Sequence, residues 1–159
     1  IIYSQRPDVT FGFNNTFNYK GFDLSVFLYA RLGQWIAYDY NTTYRINALE
    51  NGGNVDYWTP ENPTNAFPRP NKSKSYTQVT YYSTLKYEDG SFFKIRDITL
   101  GYTFKPELLK HLNLSRLRVY ATAKNFFTFS KIDNYDPEQG GSISFPMTKQ
   151  LVFGLNVEF

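Results

Sequence analysis

Apolar and polar residues alternate along much of this chain. In residues 9–19 (VTFGFNNTFNY), Val9, Phe11, Phe13, Phe17 and Tyr19 fall on one side with Asn15 the only interruption, and Thr10, Gly12, Asn14, Thr16 and Asn18 fall on the other. That period of two predicts a β-strand. Lys20 and Gly21 form a two-residue link whose glycine tolerates positive φ. Residues 22–32 then resume the pattern, with Phe22, Leu24, Val26, Leu28, Ala30 and Leu32 opposed by Asp23, Ser25, Phe27, Tyr29 and Arg31. Three more runs follow: 92–105 with Ile98, Leu100, Tyr102 and Phe104 on one side, 116–129 with Leu117, Val119, Ala121 and Ala123, and 149–159 with Leu151, Phe153, Leu155, Val157 and Phe159. The first two runs have about the 9–11 residues that a tilted strand needs to cross membrane hydrocarbon.

The connections differ in kind. Pro106 opens PELLKHLNLS, a piece suited to one or two helical turns with proline at the first helical position. Residues 38–90 carry Asn-Gly-Gly at 51–53 and prolines at 60, 63, 68 and 70, the composition of a long loop. Within it, 77–87 alternates loosely and leads to Glu88-Asp89-Gly90, which reads as a hairpin turn. Residues 133–141 are again turn chemistry. Short links thus alternate with long ones, and aromatics gather near strand ends, both features of outer-membrane barrels. A closed barrel needs at least about 8 strands. Five are evident here, and an open sheet in lipid would leave its edges unpaired, so neighbouring segments must complete the wall. The alternative is a soluble β-sandwich whose apolar faces meet a second sheet, binding carbohydrate through Trp58 and nearby tyrosines.

Composition narrows the chemistry. The 159 residues include 14 Tyr, 15 Phe and 2 Trp, yet mean hydropathy is −0.47, a combination that two-faced strands reconcile. A formal charge of +3 is too slight for a nucleic-acid binder relying on phosphate neutralisation. The absence of cysteine removes disulfides, thiolate metal sites and cysteine nucleophiles. The one histidine, His111, sits in the 106–115 link between Lys110 and Leu112, where a solvated position is expected and no catalytic triad is supported. Asp133, Asp136 and Glu138 lack the EF-hand spacing and surround Pro137, so an ordinary turn is expected there. No catalytic residue, metal ligand or cofactor is assigned. The first residues lack the charged start and apolar run of a signal peptide, and the chain reads as beginning inside a longer protein.

The segments FGFNNTFNYKGFDLSVFLYARLG (11–33), YWTPENPTNAFPRP (57–70), SFFKIRDITLGYTF (91–104), LRVYATAKNFFTFSKIDNYDPEQGG (117–141) and FPMTKQLVFGLNVEF (145–159), taken in order, resemble the C-terminal end of SusC-like TonB-dependent outer-membrane transporters. The resemblance implies that residues 1–159 are about the last five antiparallel strands of a 22-stranded barrel, with plug and TonB-contacting segment absent from this chain. It implies nutrient import of oligosaccharides or peptides. The implied partners are the remaining barrel and its plug, a SusD-like surface lipoprotein, the TonB complex, the barrel-assembly machinery and outer-membrane lipid. Counting strands back from a periplasmic C-terminus makes 33–90 a single extracellular excursion and 77–87 an arm standing above the membrane. Gly154, Val157 and Phe159 resemble the signal read by the assembly machinery, although Val152 occupies a place usually polar. In the excursion, Tyr57, Trp58 and Arg69 offer flat apolar faces and a guanidinium suited to substrate or lid. Packing of Trp58 within the loop is the competing expectation.

Overall fold

The structure is a computed structural model that describes residues 3–44, 53–73 and 82–159. Five long strands, β1 (Val9–Tyr19), β2 (Phe22–Leu32), β5 (Phe92–Thr103), β6 (Arg116–Ser130) and β7 (Gln150–Glu158), form one antiparallel sheet in the order β1-β2-β5-β6-β7. Two three-residue strands, β3 (Trp35–Ala37) and β4 (Tyr87–Asp89), pair separately. Because β2 pairs directly with β5 from Phe22↔Tyr102 to Arg31↔Phe92, everything between them is one excursion from one end of the sheet. This is the topology that strand parity requires. Glu88 and Asp89 are a correction: they belong to β4, opposite Ile36 and Trp35, and prolong the β2–β5 ribbon instead of turning it. Residues 82–86 form a 3-10 turn, while 77–81 lie outside the described residues.

Register explains why the alternation matters. Tyr19 faces Phe22 across the link, where Lys20 and Gly21 take φ of 48° and 90°, the left-handed pair whose twist matches a two-residue hairpin. From there Phe17↔Leu24, Leu24↔Leu100, Leu100↔Ala121 and Ala121↔Phe153 carry one apolar row across all five strands. Further rows repeat the pattern through Phe13, Leu28, Ile95 and Phe127. The opposite face is mostly polar, from Thr16 and Ser25 to Thr99 and Thr122.

Two irregularities keep the faces aligned. Phe27↔Asp97 is followed by Leu28↔Ile95, so Arg96 is an extra residue in β5. Opposite it, Asp97↔Lys124 is followed by Ile95↔Phe127, and Asn125 takes φ 59° in β6. The single extra residue in β5 shifts the inside-outside parity of that strand by one, whereas β6 takes up two extra residues, 125 and 126, and keeps its parity, so Ala123 and Phe127 stay on the same face. The apolar set of β5 therefore passes from Phe93 and Ile95 to Ile98, Leu100 and Tyr102.

Among the described residues no second sheet covers the apolar face, and Phe13, Leu100, Phe153 and Leu155 on it are exposed. The sandwich alternative fails on this observation, since a sandwich would bury those residues. Aromatic pairs sit at two levels of the face: Phe22 with Tyr102, ring centroids 4.6 Å apart, near one end, and Phe93 with Phe129, 6.1 Å, near the other. Phe22 and Ala30, the latter paired with Phe93, are separated by ~26 Å of strand at about 3.3 Å per residue. At the roughly 35–45° tilt of a barrel strand this is a height of about 20 Å, which fits within an outer-membrane apolar band about 25 Å tall.

The 106–115 link behaves as its sequence predicts. α2 (Pro106–Leu109) starts with proline in its first turn and buries Leu109. A 3-10 turn, 110–112, carries His111 and ends at Asn113 in the left-handed region. The excursion also holds a four-residue helix, α1 (Asp39–Thr42).

Polar face and excursion as candidate functional site

The polar face is ordered by charge and by glycine. Asp23 on β2 receives Arg118 Nε at 2.8 Å and Nη2 at 2.5 Å, although Arg118 lies on β6 and β5 runs between. Gly101 of β5 makes this possible: a Cβ there would stand 2.5 Å from Arg118 Nη2 and 2.5 Å from Asp23 Oδ1. Phe27 lies over Gly12 at a distance a Cβ there would still leave in ordinary contact, whereas the Tyr120 ring occupies the space a Cβ at Gly154 would need.

Toward the excursion the face becomes crowded with cations. Lys94, 0% exposed, donates to Asp136 Oδ2 at 2.6 Å and Glu138 Oε2 at 2.8 Å. Arg96, the bulge residue, reaches Glu138 Oε1 at 3.0 Å. The 131–149 loop is thereby folded onto the polar face, with Pro137 fully buried. Asp136 and Glu138 thus have protein cations as partners, and among the described residues no cluster of metal-ligating groups occurs. Asp136 also accepts the Glu138 backbone N–H at 3.0 Å, the turn expected from the sequence. A cavity of about 320 Å³ lies between β6 and this loop, lined by Asn125, Phe126, Tyr135, Met147 and Lys149 among others.

The excursion is built on small cores of its own. Ile36 and Tyr38 pack with Ile132, joined by Tyr40, Tyr135 and Ile143, so the two long connections share one apolar cluster. Tyr44 and Phe67 form a second cluster with Val55 and Leu85, and the Tyr44 hydroxyl donates to the Pro68 carbonyl. On the rim of the β3–β4 ribbon, Lys131 Nζ lies 2.9 Å from Asp89 Oδ2, and the Ser91 N–H donates to Asp89 Oδ1 at 3.0 Å. The Ser91 hydrogen bonds first, and the Lys131 ammonium next, hold the Asp89 carboxyl down at about 2. The same carboxylate raises the Lys131 ammonium above its ordinary range.

Tyr57, Trp58 and Arg69 all lie on the surface of this excursion. The backbone brings their segments together, since Tyr57 bridges Phe67 and the Trp58 N–H donates to the Phe67 carbonyl at 2.9 Å. Phe67, not Trp58, enters the core, and Trp58 is 41% exposed. The polar groups at Lys94, Arg96 and Gly101 escaped the sequence pattern because their partners lie on other strands or tens of residues away.

Comparison with known proteins follows the same lines. No family model matches the chain. Over its whole length it is 29% identical to TonB-dependent receptor P3 of Formosa agariphila, spanning 17% of that protein, and 30% identical to TonB-dependent receptor P26 of that organism, spanning 18%. Over 96% of its length it is 30% identical to TonB-dependent receptor SusC of Bacteroides thetaiotaomicron, spanning 15% of it. A solved structure of the RagAB peptide importer in the closed-closed state superposes with a TM-score of 0.79 at 27% identity, covering all of this chain and 18% of that one. The chain therefore spans under a fifth of the length of the proteins it matches. By sequence along its length and by the antiparallel sheet it folds into, the chain belongs with the SusC-like TonB-dependent receptors, as a segment of their C-terminal barrel wall.

Proposed function

We propose that this chain forms part of the wall of an outer-membrane importer that takes up oligosaccharides or peptides with a SusD-like lipoprotein as lid. The observation that carries this reading is the five-strand sheet with one continuous exposed apolar face, one polar face and unpaired outer edges at β1 and β7. Such a sheet is stable in lipid only when both edges are completed by further strands. A polar lumen behind an apolar exterior is the architecture of a conducting or plugged barrel. The relatives named as receptors and importers support the transport role, and the plug and TonB contact belong to other parts of the receptor.

Within that wall, the 33–91 excursion stands outside the cell, and Tyr57, Trp58 and Arg69 meet the substrate or the lid. Gly154, Val157 and Phe159 serve barrel assembly. Val157 and Phe159 suit this role by their exposure on the apolar side, 41% and 94%. The test uses the full receptor carrying this segment. It should fractionate with the outer membrane, need detergent for extraction, co-purify with a surface lipoprotein and support growth on an oligomeric nutrient. Extraction into aqueous buffer as a monomer would overturn the reading. Replacing Trp58 by Ala should weaken lipoprotein or nutrient retention, and Phe159→Ala should lower the amount of assembled barrel.

A further inference from the structure

Arg31 stands at the last rung of the β2–β5 ladder, opposite Phe92, on the polar face and next to the start of the excursion. Its Nε donates to the Tyr29 hydroxyl at 2.8 Å. The guanidinium carbon lies 5.5 Å from the Tyr29 ring centroid and 5.9 Å from that of Phe92. Arg96 approaches Tyr29 as well, at 5.4 Å. One tyrosine therefore orients two guanidinium groups, and the Phe92 ring beneath Arg31 is itself buried.

The charges around this rung do not balance. Lys94 and Arg96 share Asp136 and Glu138, which accounts for both carboxylates. Arg31 makes no ion pair among the described residues, and the carboxylate of Asp8, brought near by the β1–β2 pairing through its N–H to the Leu32 carbonyl, is turned against Gly33 instead. A lysine here could relieve its charge by losing a proton. An arginine cannot, so its charge stays available to an anion presented at this end of the lumen. With Nε held by Tyr29, the two Nη groups are left as a planar fork, the geometry that matches a carboxylate with two parallel hydrogen bonds.

We infer that Arg31 is a specificity-determining residue at the mouth of the lumen, binding a carboxylate on the imported oligomer while Tyr29 and Phe92 hold its fork in place. The inference rests on the import reading and deepens it by selecting acidic over neutral substrates. The chemistry is common to a peptide C-terminus or acidic side chain and to a uronic acid residue. A plug carboxylate is the competing partner.

The experiment uses the full receptor with its lipoprotein, reconstituted in nanodiscs. It is incubated with two mixtures: a protein digest with half of its peptides blocked as carboxyl amides, and plant oligosaccharides containing oligogalacturonides with and without methyl esterification. Bound species are released and counted by mass spectrometry. Free-carboxylate species should be enriched about tenfold over their blocked counterparts in one of the two mixtures, and the mixture showing enrichment identifies the source. Arg31→Gln should abolish the enrichment while retaining the blocked species, and Arg31→Lys should restore only part of it, because charge returns without the fork. Retention without preference for the free carboxylate, or a preference that survives Arg31→Gln, overturns the inference and leaves the import reading standing. Retention of nothing from either mixture overturns both. If Arg31→Gln lowers only the thermal midpoint of the unliganded receptor, the guanidinium serves the plug and the inference fails. Heat-modifiable migration of each variant verifies that the barrel is folded.

Discussion

Asp23 and Arg118 meet across a strand to which neither belongs, their two hydrogen bonds passing over Gly101. The contact ties β2 to β6 on the polar face, two hairpins apart in the chain, in addition to the backbone ladder. Its geometry depends on an absent side chain as much as on the two charges.

Replacing Gly101 by Ala should separate that pair, because the added methyl would take the space of the Arg118 and Asp23 tips. The backbone need not move, since both obstructing groups end flexible side chains. For a partly exposed charged pair the expected loss is about 1 kcal/mol. Thermal midpoints of the full receptor bearing Gly101→Ala, Arg118→Gln and both changes provide the check. The two effects should be strongly non-additive, and simple addition would contradict the proposed contact.

Lys94 holds the β6–β7 connection from within the sheet. Lys94→Met removes the ammonium that Asp136 and Glu138 share and leaves only Arg96 near them. Breaking a buried ion pair on one side costs about 3–5 kcal/mol. The 131–149 loop should therefore open locally, and trypsin should cut after exposed Lys131 faster than in the parent receptor. Unchanged cleavage would show that Pro137 and Ile132 anchor the loop without the lysine.

The Asp89–Lys131 pair should give the β3–β4 ribbon an acid sensitivity of defined sign. Asp89 is held at about 2, below an unfolded carboxylate, so the opened ribbon binds the proton more tightly than the closed one. Stability from this group is full above the ordinary carboxylate range and is lost as pH falls through about 2. Solvent screens the rim, and the contribution should stay below about 1 kcal/mol. The Tyr38 and Gly90 amides donate to the Lys86 and Gln34 carbonyls across the ribbon, and their protection factors, corrected for the intrinsic exchange rate at each pH from 5 to 2, should fall in the parent receptor more than in Asp89→Asn.

Adjacent residues of β7 should respond oppositely to one charge. Phe153 lies on the apolar face opposite Ala121, and Val152 lies on the polar face opposite Thr122. Phe153→Arg should cost about 2–4 kcal/mol if it lies near the bilayer midplane, seen as a loss of assembled receptor. Val152→Arg should assemble at nearly the parent level, although valine is the more apolar-looking site in a sequence scan. Equal tolerance at both sites would remove the lipid from the apolar face.

The long strands were visible in the sequence because a barrel wall separates its solvents by a strict period of two. Residues 9–32 coincide with β1, the link and β2 for that reason. The pattern fails across Phe92-Phe93-Lys94-Ile95-Arg96-Asp97, where a bulge shifts the parity and adjacent residues compete for the apolar side. β3 and β4 are too short to show alternation, which is why Glu88 and Asp89 read as a turn. Among candidate site residues, Tyr57, Trp58 and Arg69 could be singled out by chemical type. Arg31 could not, because its significance lies in the carboxylate it lacks, a property of the folded neighbourhood.

The rings laid over Gly12 and Gly154 carry a consequence for how such a wall is put together. Phe27 and Tyr120 each reach sideways onto the adjoining strand, and Tyr120 fills a hollow at Gly154 that no Cβ could share. Should β7 slide by a single step, the Tyr120 ring would strike a Cβ and every greasy side chain on that strand would turn toward water. The Tyr120 knob in its Gly154 hollow acts as an alignment pin against an inside-out β7 before the cylinder is sealed.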